Sequence, residues 1–395
     1  MQRTPRFRPL MRCRRSRPLM KFRQSRRPVK CRNRLLKPRL CSRIRVLPHR
    51  PGGRCCWRPR FLERASSSCL RVLTAGILLS LQPSHPRRVD SQQSATILLK
   101  FAAYRDTELV PTLQAALSRA EFPSRLRFAI VNQVGPETAH QLDSVRGNPN
   151  FNIHEVAWSH SLGLGWARRL CDQMWSGETF SLQLDSHMRF QQGWDTTLVA
   201  DWESRKDPKV VLSCYPAIYG FRDGHEFVQD VLPHRIVVDG LTEHGAPLLR
   251  TDIDGCRCGE SLFVAGGFQF AAGAVSIGVP NHEYIFVGDE TAHSIRLFTH
   301  GYRVEAPKSI PIYHLYNRHE WMDIDYWPEN MEADERSRAR YQKLLQVSQV
   351  MLKSMLSVED GTRVGAVRSK ADFAEKARSF RGAGWQGSVM QSTSD

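Results

Sequence analysis

Asp185 and His187 stand two residues apart in the run QLDSHMRF. In an extended segment, residues i and i+2 point the same way, so a carboxylate and an imidazole there can share one divalent cation. The plainer alternative is an aspartate capping a turn beside a surface histidine. His314, in IPIYHLY between Tyr313 and Tyr316, reads alone as a packed histidine. It gains chemical meaning only as a third ligand to the same ion. Asp289 and Glu290 follow Gly288 where a helical pattern starts. Adjacent acids there often complement a helix dipole, but the preceding Phe286-Val287-Gly288 turn suggests that these two face a cleft. Cys256 and Cys258 lack a second thiol pair and are not read as a zinc site.

These groups need elements to position them. Ala95–Ala103 is an almost continuous apolar run, as in a parallel strand buried on both faces. Glu108–Ala120 then places Leu109, Leu113, Ala116, Leu117 and Ala120 on one helical face, and Leu126–Asn132 is a second strand. That β-α-β unit predicts a mostly parallel sheet flanked by helices, of α/β class. Trp166–Trp175 has helical spacing behind the loop Ser161–Gly165, whose Gly163 and Gly165 let an anion approach the helix N-terminus. Thr179–Leu184 alternates apolar side chains and runs directly into Asp185. The C-terminal end of a buried strand is where open α/β sheets bind ligands. Further strands are predicted at 210–214, 235–238 and 268–272. Helices are predicted from Gly288 to Gly301 and over Asp334–Leu356, and a loose tail over 358–395.

The formal charge of +18 is not spread along the chain. Residues 1–90 hold 26 of the 57 Lys and Arg against two acids, Glu63 and Asp90, or +24, which leaves −6 for residues 91–395. The basic stretch has no structural period and cannot bury enough apolar area to offset its ordering entropy, so it is expected to be disordered. A mis-called start explains it best. A nucleic-acid arm, or an anchor built on the apolar stretch Leu70–Leu81, are the other readings. Six of the ten cysteines lie there without CxxC spacing, which gives no disulfide or zinc framework.

Seven short blocks occur in a telling order: AAYRD (Ala102–Asp106), GWAR (Gly165–Arg168), QLDSHMRF with Gly193-Trp194-Asp195, AGGF (Ala265–Phe268), VGDE (Val287–Glu290), SIRLFTHGY (Ser294–Tyr302) and YHLYNR (Tyr313–Arg318). Over residues 95–330 the chain resembles the GlcNAc-transferases that attach α-linked GlcNAc to a hydroxyproline on a cytoplasmic ubiquitin-ligase subunit. More distantly it is similar to the mucin-type polypeptide GalNAc-transferases. The resemblance implies a GT-A fold with a Rossmann-like sheet over 94–330, and the helical pattern beyond it is taken as a separate C-terminal helix over 331–357. It implies UDP-GlcNAc as donor, a protein or glycan hydroxyl as acceptor, and a cytoplasmic enzyme that retains configuration. It also implies a divalent cation, manganese in preference to magnesium, on Asp185, His187 and His314.

Carried onto this sequence, the resemblance assigns Ala102, Ala103, Tyr104, Arg105, Asp106, Arg168, Trp194 and Asp195 to the nucleotide sugar, with Arg168 as a donor contact. Asp289 and Glu290 fall beside the reacting sugar. Residues 220–259 match no block and are where acceptor choice is expected to lie. Nucleic acid is not an expected partner of the globular part, and no 18-residue apolar run predicts a membrane span. A non-haem iron oxygenase could use the same Asp/His/His set, but on a β-rich double-sheet barrel.

Overall fold

The computed structural model describes residues 95–242, 245–253, 259–284, 287–316, 335–382 and 385–390. The expectations for residues 1–90, including 70–81, and for Cys256 and Cys258 lie outside these. Along the chain come β1 (Ile97–Tyr104), α1 (Leu109–Arg119), β2 (Leu126–Val134), β3 (Phe151–Ala157), α2 (Leu164–Gln173), β4 (Phe180–Leu184), β5 (Met188–Phe190) and α3 (Trp194–Glu203). They are followed by β6 (Val210–Leu212), β7 (Ala217–Arg222), β8 (His225–Gln229), β9 (Ile236–Leu241), β10 (Pro247–Thr251), β11 (Gly259–Ser261) and β12 (Phe268–Ala272). Last are α4 (Val275–Gly278), α5 (Asp289–Thr299), β13 (Arg303–Ala306), β14 (Ile312–Leu315), α6 (Glu335–Leu356) and α7 (Lys370–Ala377).

The main sheet runs β11-β13-β6-β12-β4-β1-β2-β3. The pairs β1–β2, β1–β4, β2–β3 and β6–β13 are parallel, while β12 lies antiparallel between β4 and β6. β4 is buried at every position, as a central strand covered on both faces must be. α1 turns Leu109, Leu113 and Ala116 into the principal core. α2 covers the opposite face, packing Ala167 and Cys171 against Leu98, Ala129 and Val131. This is the expected α/β sheet flanked by helices, not the double-sheet barrel that an iron oxygenase would need. No helix among the described residues is long and apolar enough to cross a membrane.

A second sheet, β5-β14-β7-β8, begins where β4 ends. β14 pairs antiparallel with β5 and parallel with β7, and His314 falls opposite Met188. β5 is only three residues long, too short to carry a periodic signal in the sequence. The unmatched stretch 220–259 supplies β8, β9 and β10 within its described part.

Residues 358–382 and 385–390 depart from the expected loose tail. α7 carries a capping box between Ser369 and Asp372. Phe373, Ala377, Phe380, Val389 and Met390 join a second core with β9, α5 and the end of α6. Phe373 is 0% exposed and meets Phe263 and Phe298 edge-on at 5.8 and 5.5 Å. Most of the polar residues that suggested looseness are its solvent face, while buried Lys370 donates to the Ser354 and Ser357 carbonyls. Phe373→Ala is expected to cost about 3–5 kcal/mol and to lower the melting temperature by roughly 2–4 °C for each kcal/mol. A calorimetric midpoint unchanged by the substitution would return the tail to solvent.

Candidate metal centre

β4 delivers Asp185 just beyond its last residue, and β5 starts three residues later, so Asp185-Ser186-His187 bridges the two sheets. α1 clamps this bridge. The Thr112 hydroxyl donates to the Ser186 carbonyl at 2.9 Å and accepts from the Met188 amide at 2.8 Å, straddling His187. On the other side Leu315 N donates to the His187 carbonyl at 3.2 Å, which fixes β14 against it. The register therefore brings together histidines 127 residues apart in sequence, with ring centroids 4.7 Å apart.

Asp185, His187 and His314 offer ligand atoms that all lie within 4.8 Å of one another. His314 Nε2 stands 3.1 Å from Asp185 Oδ2, yet both ring nitrogens of His314 are buried without a hydrogen-bond partner among the described residues. A close N···O approach with poor hydrogen-bond angles is what two ligands of one ion make. Metal–ligand bonds of roughly 2.1 Å at right angles put their ligand atoms about 3 Å apart. His187 Nδ1 faces Asp106 Oδ2 at 2.7 Å, which leaves Nε2 for the ion. This carboxylate–imidazole support is the usual outer shell of a metal-binding histidine.

Charge argues the same way. Arg168 is 5% exposed and pairs with Asp289 and, at 3.3 Å, with Asp185. Glu290 accepts from the Gly266 amide at 2.6 Å and from Tyr215 Oη at 3.3 Å. Three carboxylates thus gather around one guanidinium. Burial raises Asp289, and burial with Asp289 beside it pushes Glu290 up to about 7. For Asp185, burial is outweighed by His314, Arg168 and His187, which hold it below the usual carboxylate range. Burial also lowers His314, favouring the neutral ring that binds metals. The donor set and the surplus negative charge both fit a divalent cation.

These groups line a cavity of about 510 Å³. Of the residues foreseen from sequence, Ala102, Tyr104, Arg168, Asp185, His187, Asp289, Glu290 and His314 reach it. Others do not. Ala103 is buried, and its carbonyl accepts from Gln133 at 3.0 Å. Arg105 pairs with Glu137 and lies over the Trp158 ring. Asp106 sits behind the site, binding Ser186 and His187. Trp194 and Asp195 were assigned to the nucleotide sugar, but both are 0% exposed and structural. The Trp194 indole donates to the Ala116 carbonyl, and Asp195 accepts from Glu121 N, Phe122 N and Arg125. Arg168, expected as a donor contact, is engaged by Asp185 and Asp289.

Sequence reasoning missed Gln133, Tyr215, Tyr316 and Tyr341, which also line the cavity. The glycines of AGGF are required by close packing. A Cβ on Gly267 would come within 2.5 Å of Asp185 Oδ2, and one on Gly266 within 2.8 Å of Arg168 Nη2. Two adjacent glycines leading into a strand were the available signal, since they permit close backbone approach.

The sequence matches the family described as Glycosyltransferase (GlcNAc) over residues 96–147 and 135–378. The chain belongs to that family. No curated protein matches this glycosyltransferase's sequence. Among solved structures it is similar to GalNAc-T7 with UDP, GalNAc and Mn2+, at 13% identity and a TM-score of 0.48. That match covers 72% of this chain and 55% of the other, so the glycosyltransferase spans about half of GalNAc-T7. It is also similar to S. aureus TarS 1–349 in complex with UDP-GlcNAc, at 11% identity, a TM-score of 0.40 and coverage of 67% and 71%.

Asp106→Ala leaves every metal ligand in place but removes the brace on His187. It is expected to weaken manganese binding by about 10–100-fold, read by isothermal titration calorimetry with circular dichroism to confirm the fold. Wild-type affinity in this variant would show that the His187–Asp106 pair is incidental to the ion.

Proposed function

We propose that this chain transfers GlcNAc from UDP-GlcNAc to a hydroxyl acceptor, with retention of configuration and dependence on manganese. The observation that carries the proposal is the convergence of Asp185, His187 and His314 beside Arg168, Asp289 and Glu290 in one cavity. These three ligands would hold the cation, whose chemistry there is to neutralise the charge that grows on the departing diphosphate. Mixed carboxylate and imidazole donors beside phosphate oxygens favour manganese over magnesium.

The chain's own residues do the rest. Ala102 and Tyr104, at the C-terminal end of β1, form the wall on which the uridine would rest. Arg168 holds Asp185 and Asp289 at fixed spacing through its two pairs, so the carboxylates need not reorganise during the reaction. Asp289 and Glu290 enter from the first turn of α5 and orient sugar and acceptor hydroxyls. A retaining transfer brings the acceptor oxygen in on the leaving-group face, so no side chain has to act as nucleophile. For the acceptor we take protein hydroxyproline, and for the compartment the cytoplasm, both on the family resemblance.

Purified protein should consume UDP-GlcNAc with added manganese, stop when EDTA is added and recover on re-addition. Asp185→Asn should lower that rate by about 10²–10³-fold, the scale of losing one preorganised electrostatic group, while the melting curve stays close to wild type. Equal turnover in EDTA, or a clear preference for another UDP-sugar across a donor panel, would defeat the assignment. A prolyl-hydroxylated peptide compared with its unmodified form tests the acceptor.

A further inference from the structure

Arg168 faces the transfer cavity, and the next residue on α2 faces a second one. That second pocket, about 310 Å³, is lined by Arg169, Asn281, His282, Glu283, Arg296 and Arg363. It shares no lining residue with the transfer cavity. Three guanidiniums in one concavity repel each other, and such groups are ordinarily neutralised by carboxylates. Here none of the three arginines makes an ion pair with a carboxylate among the described residues. Arg296 is held by backbone instead, donating to the Pro280 carbonyl and, at 3.2 Å, to that of Arg363. Arg363 stands 3.1 Å from His282 Nε2, with its backbone in the left-handed region at φ 59°. The Nε of Arg169 is buried and has no hydrogen-bond partner among the described residues. Glu283 is exposed on the rim, and the Asn281 amide is already committed to Asp172 and Gln183.

We propose that this pocket binds a phosphate-class oxyanion, with Arg169, Arg296 and Arg363 as the recognising groups. Planar guanidiniums match phosphate oxygens in geometry as well as charge. With no carboxylate among the described residues paired to any of the three, an oxyanion would supply the missing counter-charge. The surroundings agree: burial and then Arg169 and Arg363, opposed by Asp172, lower Arg296 to about 10, and burial and then the neighbouring arginines lower His282 to about 4.

The test is calorimetric titration of the full chain with sodium phosphate against sodium chloride at matched ionic strength, in EDTA. Wild type and Asp185→Asn should both show saturable phosphate binding. Arg169→Gln and Arg363→Gln should each weaken it by about tenfold or more, the scale of one charge-assisted contact. The basic residues 1–90 are common to all variants, so the difference reads the pocket. Arg363 lies on an exposed loop, so its replacement keeps the test valid should Arg169→Gln destabilise the fold. Phenyl phosphate bound more tightly than inorganic phosphate would assign the site to a phosphate ester, and the reverse order to the free ion. Absence of saturable binding by wild type, undiminished binding by both arginine variants, or loss confined to Asp185→Asn would overturn the proposal.

Discussion

Arg168 is sealed from water, and a buried guanidinium persists only where carboxylates compensate it. Here it is overcompensated: Asp185 and Asp289 pair with it, and Glu290 lies close behind. The surplus negative charge makes the cavity floor costly in the metal-free protein and receptive to a dication. Much of the surrounding architecture serves this cluster. Two glycines lead into β12 because side chains there would strike Asp185 and Arg168. α2 and α5 approach each other so that Arg168 can meet Asp289.

The ligands depend equally on one short register. β5 has three residues, yet its pairing with β14 decides that His314 stands beside His187. Thr112 from α1 and Leu315 N from β14 hold the intervening bridge from opposite sides. A slip of one residue in β14 would turn His314 to the other face of the small sheet and dissolve the three-ligand set. The site therefore rests on how the two sheets are joined rather than on either sheet alone.

The large sheet was readable because its central strands are covered on both faces and so carry unbroken apolar runs. Phe268–Ala272 matched residue for residue, and β1 and β4 to within two residues at their N-terminal ends. α2 begins two residues earlier than its apolar spacing suggests, since Gly163, at φ 101°, ends the preceding loop. Asp185, His187 and His314 were legible through residue type and block order together. What failed shows the limit of motif reading. Trp194 and Asp195 sit in a block that looks functional, but they secure α3 to the end of α1. A sequence block does not distinguish a residue that touches substrate from one that supports the scaffold. β7 and β8 escaped because half-exposed strands on a small sheet carry little periodic signal. The tail escaped because its few apolar side chains are spaced among polar ones.

Asp185, His187 and His314 are placed to hold one ion between the end of β4 and β14. Electron spin echo measurements on the manganese-loaded protein address this shared ligation directly, because nitrogen nuclei of bound imidazoles modulate the signal. Couplings from two histidine nitrogens are expected in wild type and from one in His314→Ala. Absence of nitrogen coupling, or an unchanged two-nitrogen pattern in His314→Ala, would contradict it.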